Sequence, residues 1–202
     1  MNSYGGEFWD ERYSSSEFVY GSEPNEFFKE QIQKLVPGKL LMIGEGEGRN
    51  AVFAAKQGWE VDAVDFSLVA KEKAIKLAKN NGVSINYDVS ELSKYKFKQN
   101  YYDAAANIYL HLNRTLRKTI YSNCIFSLKT GGIIILEVFD KDQLGRNSGG
   151  PQNLEMLYSI DELKEDFQTT QIKLLEKKII TLGEGNHHKG EAAVVRMIAI
   201  KK

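Results

Sequence analysis

The chain alternates short apolar runs with longer stretches in which apolar residues recur at helical spacing. The runs predict strands at 39–44, 60–65, 84–87, 102–109 and 133–138, and the longer stretches predict helices at 49–57, 68–81, 113–128 and 160–167. Two further β-rich runs, 170–182 and 191–200, should pair as an antiparallel hairpin. Together these patterns predict an α/β fold, with a doubly wound, mostly parallel seven-stranded sheet, helices on both faces and a C-terminal antiparallel hairpin.

Residues 1–37 precede this alternation and carry a different pattern. Pro24 predicts the first turn of a helix that carries Phe28, and Pro37 ends it. We interpret 1–37 as an N-terminal helical lid and 38–202 as the core. The length of 202 residues, of which 42% are hydrophobic, is consistent with a single domain over 1–202.

The most informative segment is the glycine-rich turn between the first strand and the first core helix. Gly44, Gly46 and Gly48 follow the apolar run that ends at Ile43, and Asp65 ends the next strand. Glycines allow the backbone to approach a ligand closely. A carboxylate at the tip of the second strand can bind both hydroxyls of a ribose. The segment therefore predicts a site for an adenosine-containing cofactor.

The spacing of the glycines bears on which adenosine cofactor is bound. The dinucleotide pattern needs its third glycine at position 49, where Arg49 stands. The alternate spacing of Gly44, Gly46 and Gly48 is found in class I S-adenosylmethionine methyltransferases. Asp65 follows Gly44 by 21 residues, a separation that suits either cofactor.

Several other segments carry a family resemblance. They are Phe8–Tyr13, Tyr20–Asn25, Gly44–Asn50, Tyr109–Leu112, Gly149–Pro151, Met156–Tyr158 and Glu184–Gly190. These segments resemble tellurite-resistance and thiopurine-type small-molecule methyltransferases of class I. The resemblance implies a Rossmann-like fold, S-adenosylmethionine as cofactor and a small-molecule acceptor. Many class I members carry an acid where Met42 stands, and Glu45 or Glu47 are the candidates to replace it opposite the cofactor's ammonium group.

We expect the cofactor beyond the carboxyl ends of the strands, where ligands of open α/β sheets bind. Asp65 would hold the ribose and Phe66 would lie against the adenine. The full set of candidate cofactor residues is Arg12, Gly44, Glu45, Gly46, Gly48, Asn50, Asp65, Phe66, Ser67, Asp88, Val89 and Tyr109. Asp88 and Val89 are assigned to the adenine edge by resemblance, and Asp88 alternatively caps a turn. Arg12 either pairs with the cofactor carboxylate, as a guanidinium does well, or packs the lid onto the core.

His111 is the candidate catalytic residue, because it follows a strand tip that should face the cofactor. It would act as a general base if the acceptor carries a proton, or it would instead cap the next helix. Tyr20 is a candidate substrate-binding residue, and the family resemblance implies the same role for Tyr158, Arg196 and one of His187 and His188. Arg196 lies in an apolar strand and needs a partner, either Glu137 or Glu184. We predict no metal site, since zinc sites typically use at least three protein ligands and no Cys or third His lies near the His187–His188 pair.

Charge and cysteine content narrow the remaining possibilities. The chain has 27 basic and 27 acidic residues and a net charge of zero, which gives no electrostatic reason to bind nucleic acid or a membrane. One cysteine, Cys124, excludes a disulfide within the chain and favours the cytoplasm. The first seven residues do not form a secretion signal, and no apolar run is long enough to span a membrane. We expect a monomer or homodimer.

Three functions remain open at this stage. The leading one is an S-adenosylmethionine-dependent methyltransferase that acts on a small molecule by in-line methyl transfer. The second is a nicotinamide-dependent oxidoreductase, against which Arg49 and the terminal hairpin count. The third is a non-catalytic S-adenosylmethionine-binding protein, which Met42 keeps open.

Overall fold

The structure is a computed structural model that describes residues 6–185 and 187–202. The predictions made for residues 1–5, and for Asn186 in the C-terminal motif, lie outside the described residues. The helices are α1 (Gly6–Tyr13), α2 (Glu26–Ile32), α3 (Arg49–Lys56), α4 (Leu68–Asn80), α5 (Arg114–Ser127) and α6 (Ile160–Asp166). The strands are β1 (Lys39–Ile43), β2 (Glu60–Asp65), β3 (Asn86–Val89), β4 (Tyr102–Ile108), β5 (Leu128–Phe139), β6 (Thr170–Glu184) and β7 (His188–Lys201).

The strands form one seven-stranded sheet in the order β3-β2-β1-β4-β5-β7-β6. Strands β1 to β5 pair in parallel, and β7 lies antiparallel between β5 and β6. This confirms the predicted doubly wound sheet and its terminal hairpin. The order reverses between β1 and β4, so the carboxyl ends of these strands open a crevice at the place where α/β folds bind ligands.

Side-chain caps fix the starts of several helices where the sequence predicts them. Asn113 accepts a hydrogen bond from the Leu116 amide at the start of α5. Ser159 and Glu162 form both bonds of a capping box at the start of α6. These caps set the directions in which the chain leaves the β4 tip and enters the hairpin.

Several boundaries differ from the sequence-based expectation, and those of β5 and β3 matter most for the loops around the crevice. β5 begins at Leu128 rather than at residue 133. It includes Gly131, at φ +79°, and its pairing with β4 is irregular at this end. β3 covers 86–89 rather than 84–87, so the loop that faces the crevice begins two residues later. Glycine and short polar strands are weak signals for a boundary.

The core lies on both faces of the sheet. On one face α2, α3 and α4 cover an apolar cluster that includes Met42, which is 1% exposed. On the other face α5 and α6 cover a second cluster that includes Cys124 and Tyr158. The helices on both faces hold the strand ends in place around the crevice.

Candidate active site

A cavity of about 660 Å³ opens at the carboxyl ends of the central strands. Gly44, Asp65, Tyr109 and Phe139 line it from the ends of four strands. The N-terminal segment 6–21 and the loops at 146–152 and 187–188 enclose it from outside the sheet. Of the predicted site residues, those that line the cavity are Arg12, Tyr20, Gly44, Glu45, Gly46, Asn50, Asp65, Phe66, Tyr109, His111, His187 and His188.

The turn after β1 presents bare backbone to the cavity. Gly44 and Gly46 have φ of +64° and +61°, which side chains rarely adopt. A Cβ on Gly44 would lie 2.7 Å from the Leu110 side chain, and one on Gly46 would lie 2.7 Å from the Tyr13 hydroxyl oxygen. A side chain at either position would close the space, so this cradle fits a ligand that packs directly on the backbone.

Asp65 faces this cradle from the end of β2. Its Oδ2 accepts from the Gly46 amide at 3.1 Å, and its Oδ1 accepts from the Ser67 amide at 3.0 Å. Burial raises the pKa of Asp65, although the hydrogen bonds to backbone amides oppose that shift. The carboxylate is therefore held rigidly in the cavity, where it can accept hydrogen bonds from the two hydroxyls of a ribose.

Glu45 lies in the turn between β1 and α3. Its Oε1 accepts from the Ala51 amide at 2.7 Å, which supplies the cap that Gly48 cannot provide. Burial raises the pKa of Glu45 to about 8. Asn50 lies beside it, and its Oδ1 accepts from the Asn25 amide at 2.9 Å. The start of α3 is thus tied to the N-terminal segment.

One lysine fastens the N-terminal segment over the cavity. The Nζ of Lys73 donates to the carbonyl oxygens of Tyr13, Ser15 and Glu17 at 3.3, 2.8 and 2.6 Å, and it pairs with Glu47 at 2.5 Å. These bonds hold the chain between α1 and α2 against α4. The segment therefore forms one wall of the cavity.

Arg12 and Tyr20 lie together on this wall. Arg12 donates to the Tyr20 hydroxyl, and its guanidinium lies 5.2 Å from the centre of the Phe8 ring. Burial raises the pKa of Tyr20, and Arg12 opposes that shift. Both residues face the cavity, so the arrangement is compatible with either predicted role of Arg12.

Arg49 stands where the dinucleotide-binding pattern has its third glycine, and its side chain has a structural role there. Its guanidinium is buried and pairs with Glu184 at 2.7 Å, and it donates to the carbonyl oxygens of Tyr20 and Glu23. Glu184 also bonds to Nδ1 of His188 at 3.2 Å. Burial raises the pKa of Glu184, but His188 and Arg49 outweigh it and bring it to about 2. The start of α3 and the hairpin are therefore linked through Glu184, by an ion pair to Arg49 and a hydrogen bond to His188.

His188 sits at the centre of an aromatic wall. Its ring centre lies 4.5 Å from Tyr20, 4.7 Å from Tyr109 and 5.4 Å from Phe139. Burial lowers the pKa of His188, although Glu184 opposes the shift, so the ring is neutral near pH 7. An ionised Glu184 can only accept, so Nδ1 carries the proton and Nε2 keeps its lone pair.

A second polar cluster lies beneath this wall. Glu137 is fully buried and accepts from Asn25 and Tyr109, both at 2.6 Å. Its other oxygen pairs with Arg196 at 2.5 Å across the β5–β7 ladder. Glu137 is thus the partner that the sequence requires for Arg196, and the pair orients Tyr109, whose φ is +59°.

The structure argues against the general-base role predicted for His111. Its Nδ1 lies 2.6 Å from the Met156 carbonyl oxygen, so it donates, and its Nε2 accepts from the Phe139 amide. Burial lowers the pKa of His111 to about 4. With both ring nitrogens bonded to backbone, no lone pair is left to take a proton. The predicted helix-capping alternative is also wrong, because Asn113 caps α5.

Some predicted site residues lie outside the cavity. Gly48 packs on Ala74, Ser67 caps α4, Asp88 and Val89 point to solvent from β3, Tyr158 is fully buried and Arg196 pairs with Glu137. The hydroxyl of Tyr158 accepts from the Leu112 amide at 2.6 Å and so supports the β4–α5 loop. Glu91, Leu92 and Ser93 line the cavity where the sequence placed Asp88 and Val89, as the later end of β3 requires.

The sequence gives only weak evidence for some other residues in or beside the cavity. Tyr13 and Trp9 stack at 5.5 Å and line the cavity from α1. Glu184 and Asn25 join the network through partners more than 130 residues away. Near Tyr13, the alternation of aromatic and charged residues hints at a site. No local pattern predicts the hydrogen-bond partners of Asn25.

Neither a metal cluster nor a membrane-spanning helix is found in the described part of the chain. Among residues 6–185 and 187–202, no group of three His, Cys, Asp or Glu side chains is arranged to bind a metal ion. No helix of these residues has the length and apolar character to cross a membrane.

The sheet with its inserted antiparallel strand has the fold of class I S-adenosylmethionine-dependent methyltransferases, and its glycine cradle lies opposite an acid. Residues 40–132 match the family model described as a methyltransferase domain. The match covers less than half of the chain, which shares its fold with methyltransferases that use S-adenosylmethionine as cofactor. The bare cradle and the fixed carboxylate of Asp65 fit that cofactor.

Solved structures share the fold over almost the whole chain. One, described as the conversion of a disulfide bond into a thioacetal group during echinomycin biosynthesis, has a TM-score of 0.81 at 14% identity and covers 98% of this chain and 91% of its own. TehB from Haemophilus influenzae has a TM-score of 0.74 at 16% identity, covering 98% and 67%. A S-adenosylmethionine-dependent methyltransferase from Methanosarcina mazei has a TM-score of 0.66 at 18% identity, covering 89% and 98%. At these identities the likeness establishes the fold.

A curated relative matches a shorter segment. Hemagglutinin 1 from Eikenella corrodens is 29% identical over 73 residues, which is 36% of this chain. The match spans about a quarter, 24%, of that relative's length. It therefore carries no argument about the acceptor.

Proposed function

We propose that the protein transfers the methyl group of S-adenosylmethionine to a small-molecule acceptor, and that it acts in the cytoplasm as one domain. The observation that carries the proposal is the shared cavity, which holds both the Gly44–Gly46 cradle with Asp65 and the neutral ring of His188. The first group fits a nucleoside, and the second fits an acceptor that has a proton to lose. The single buried Cys124 is compatible with a reducing compartment.

The residues of the cradle would bind and orient the cofactor. Backbone at Gly44 and Gly46 would contact it closely, Asp65 would hold the ribose hydroxyls and Phe66 would lie against the adenine. The cofactor supplies a methyl group already activated by a positively charged sulfonium. The rings of Tyr13, Tyr20 and Tyr109 face the same cavity, and aromatic faces attract such a cation.

His188 would act on the acceptor. Its Nδ1 donates to Glu184, so Nε2 is the atom that would remove the acceptor's proton. Arg49 keeps Glu184 ionised, which fixes this tautomer and stabilises the imidazolium that forms. The remaining requirement for methyl transfer is alignment in a site that excludes water, which the enclosing segments provide.

The size of the cavity favours a small acceptor. About 660 Å³ falls in the range of small-molecule sites, and cofactor and acceptor must share it. The N-terminal segment and the 146–152 loop border the cavity and limit the space beside the cradle. The balanced charge of the chain gives no electrostatic support for a nucleic-acid acceptor. A monomeric or homodimeric state stays a prediction.

The start of α3 disfavours the nicotinamide alternative. Dinucleotides place their pyrophosphate at this helix N-terminus, where free amides and the helix dipole attract an anion. Here the side chain of Glu45 already accepts from the Ala51 amide, and Arg49 is turned away to Glu184. A phosphate would meet a carboxyl group rather than free amides.

Turnover with methyl-labelled S-adenosylmethionine tests the function. We expect the wild-type protein to methylate at least one member of a panel of small thiols, phenols and amines. His188→Gln should lower kcat by roughly 10²- to 10⁴-fold, the usual contribution of a general base, while S-adenosylhomocysteine affinity changes little. The neighbouring His187→Gln is the control and should retain most of kcat. Methylation of nucleic acid or protein in place of every small molecule would contradict the proposal.

A further inference from the structure

The position that holds an acid in many related enzymes is sealed inside the core here. Met42 is 1% exposed and packs in the apolar cluster beneath α3. The turn that follows it carries two glutamates instead, Glu45 and Glu47, which are 8% and 5% exposed. Both line the cavity, so either could supply the missing negative charge.

The carboxylate of Glu47 already has a cationic partner within the protein. One carboxylate oxygen accepts from the Val19 amide at 2.8 Å, and the other pairs with the Nζ of Lys73 at 2.5 Å. Both partners belong to the fastening of the N-terminal segment. Glu47 therefore contributes to closing the cavity, and its charge is balanced before any ligand binds.

Glu45 is in a different position. Among residues 6–185 and 187–202, no Lys, Arg or His nitrogen lies within 4.0 Å of its carboxylate. Its Oε1 accepts from the Ala51 amide, while the side chain lines the cavity beside the Gly44–Gly46 cradle. A buried carboxylate is costly without a cationic partner. Burial is the main cause that raises the pKa of Glu45 to about 8, against the opposing effects of the backbone hydrogen bonds and Arg49.

The geometry points to Glu45 as the residue that receives the ammonium group of the cofactor's methionine part, in the role of the acid absent at position 42. This inference rests on the proposed function and deepens it, because it assigns the recognition of one chemical group of the ligand. The ammonium would be the cation that the carboxylate lacks, and the helix cap would hold the carboxylate in place to meet it. Charge-assisted bonds of this kind are about twice as strong as neutral ones.

The groups around Glu45 are consistent with a cationic partner from the ligand. Those that act on its charge are Arg49 from α3, Asp65 from β2, Tyr13 from α1 and Tyr87 from β3. Arg49 favours the ionised form, but its guanidinium is engaged by Glu184. Asp65 disfavours it, so the ionised pair of Glu45 and Asp65 needs a positive charge in the cavity.

Calorimetry with two ligands and matched variants tests the inference. S-adenosylhomocysteine carries the ammonium group without the sulfonium, and 5′-methylthioadenosine lacks the whole amino-acid part. Glu45→Gln keeps the shape and the oxygen that caps α3 but removes the charge. We expect it to weaken S-adenosylhomocysteine binding by about tenfold or more, as for a lost charge-assisted bond, and to leave 5′-methylthioadenosine binding nearly unchanged.

Glu47→Gln is the control within the same turn. It should lower thermal stability, because Lys73 loses its partner, while the ratio of the two affinities stays that of the wild type. Equal weakening of both ligands by Glu45→Gln, or no weakening of S-adenosylhomocysteine, would overturn the inference while the proposed function stands. A wild-type protein that binds neither nucleoside would overturn both.

Discussion

At the residue scale, the structure assigns the two candidate histidines to different tasks. His111 joins the β4–α5 loop to the ends of β5 and the Leu154–Met156 turn through two backbone hydrogen bonds. His188 has one nitrogen bonded to Glu184 and lines the cavity. The same side chain therefore serves as a strut at one position and as a candidate base at the other, and the partners of the ring decide which.

The low pKa of His111 makes stability depend on pH. The folded protein holds the pKa at about 4, below the ordinary value of 6.5, so the unfolded chain binds the proton more tightly. The stabilisation is fully present above pH 6.5 and is lost as the pH falls towards 4, by about 3 kcal/mol in total. Urea unfolding at several pH values should show a shallower decline for His111→Gln than for the wild type. Identical pH profiles would contradict this account.

At the element scale, the packing of α3 on α4 sets the shape of the cradle. Gly48 begins α3 at φ +88°, and a Cβ there would lie 2.6 Å from the Cβ of Ala74. The absence of a side chain lets the two helices approach closely, which draws the turn at Gly44–Gly48 towards β2 and Asp65. The third glycine of the motif therefore acts through helix packing and does not touch the cavity.

Two glycine substitutions separate helix packing from backbone strain. Gly82 has φ +69° and open space around it, so Gly82→Ala should cost only about 1–2 kcal/mol of left-handed strain. Gly48→Ala should cost a further 1–3 kcal/mol or so, because the methyl group overpacks the α3–α4 contact. Denaturant unfolding measures both values. Equal losses would show that the contact with Ala74 relaxes freely.

At the scale of the whole molecule, the cavity is completed by segments far apart in sequence. Lys73 of α4 holds the N-terminal segment, and Asn25 reaches Glu137 of β5 and Glu184 of β6. The N-terminal segment has only an eight-residue helix of its own, so these bonds account for its position. Such short peripheral elements open locally at lower free energy than a central sheet.

Ligand binding should therefore change amide hydrogen exchange most in the N-terminal segment. S-adenosylhomocysteine would bind only while the cavity is formed, so it should slow amide hydrogen exchange across 6–20, while β4 and β5 change little. Exchange measured by mass spectrometry with and without the ligand tests this. Lys73→Met, which removes the fastening, should exchange quickly in this segment without the ligand. Unchanged exchange in the wild type would mean that the segment is not coupled to the cavity.

How much of the site the sequence predicts depends on how far apart in sequence the interacting residues lie. Asp65 and the cradle at Gly44 can be predicted from the sequence, because the strand, the glycine turn, the helix and the second strand follow one another along the chain. His111 and Tyr158 have equally suggestive positions, yet the structure bonds them to backbone. The pairing of Arg49 with Glu184 joins residues 135 apart, and no local pattern encodes it.

The succession of strands and helices along the chain, the helix caps at Asn113 and Ser159 and the glycine cradle were determined by the sequence itself, because they depend on neighbours within a few residues. The choice of which polar side chains face the cavity was made only by the tertiary structure. A charged or aromatic residue becomes part of a site or part of the scaffold according to the groups that packing brings against it. Glu45 and Glu47, two residues apart, show this: both line the cavity, but only Glu47 is paired with a cation, Lys73, among the described residues.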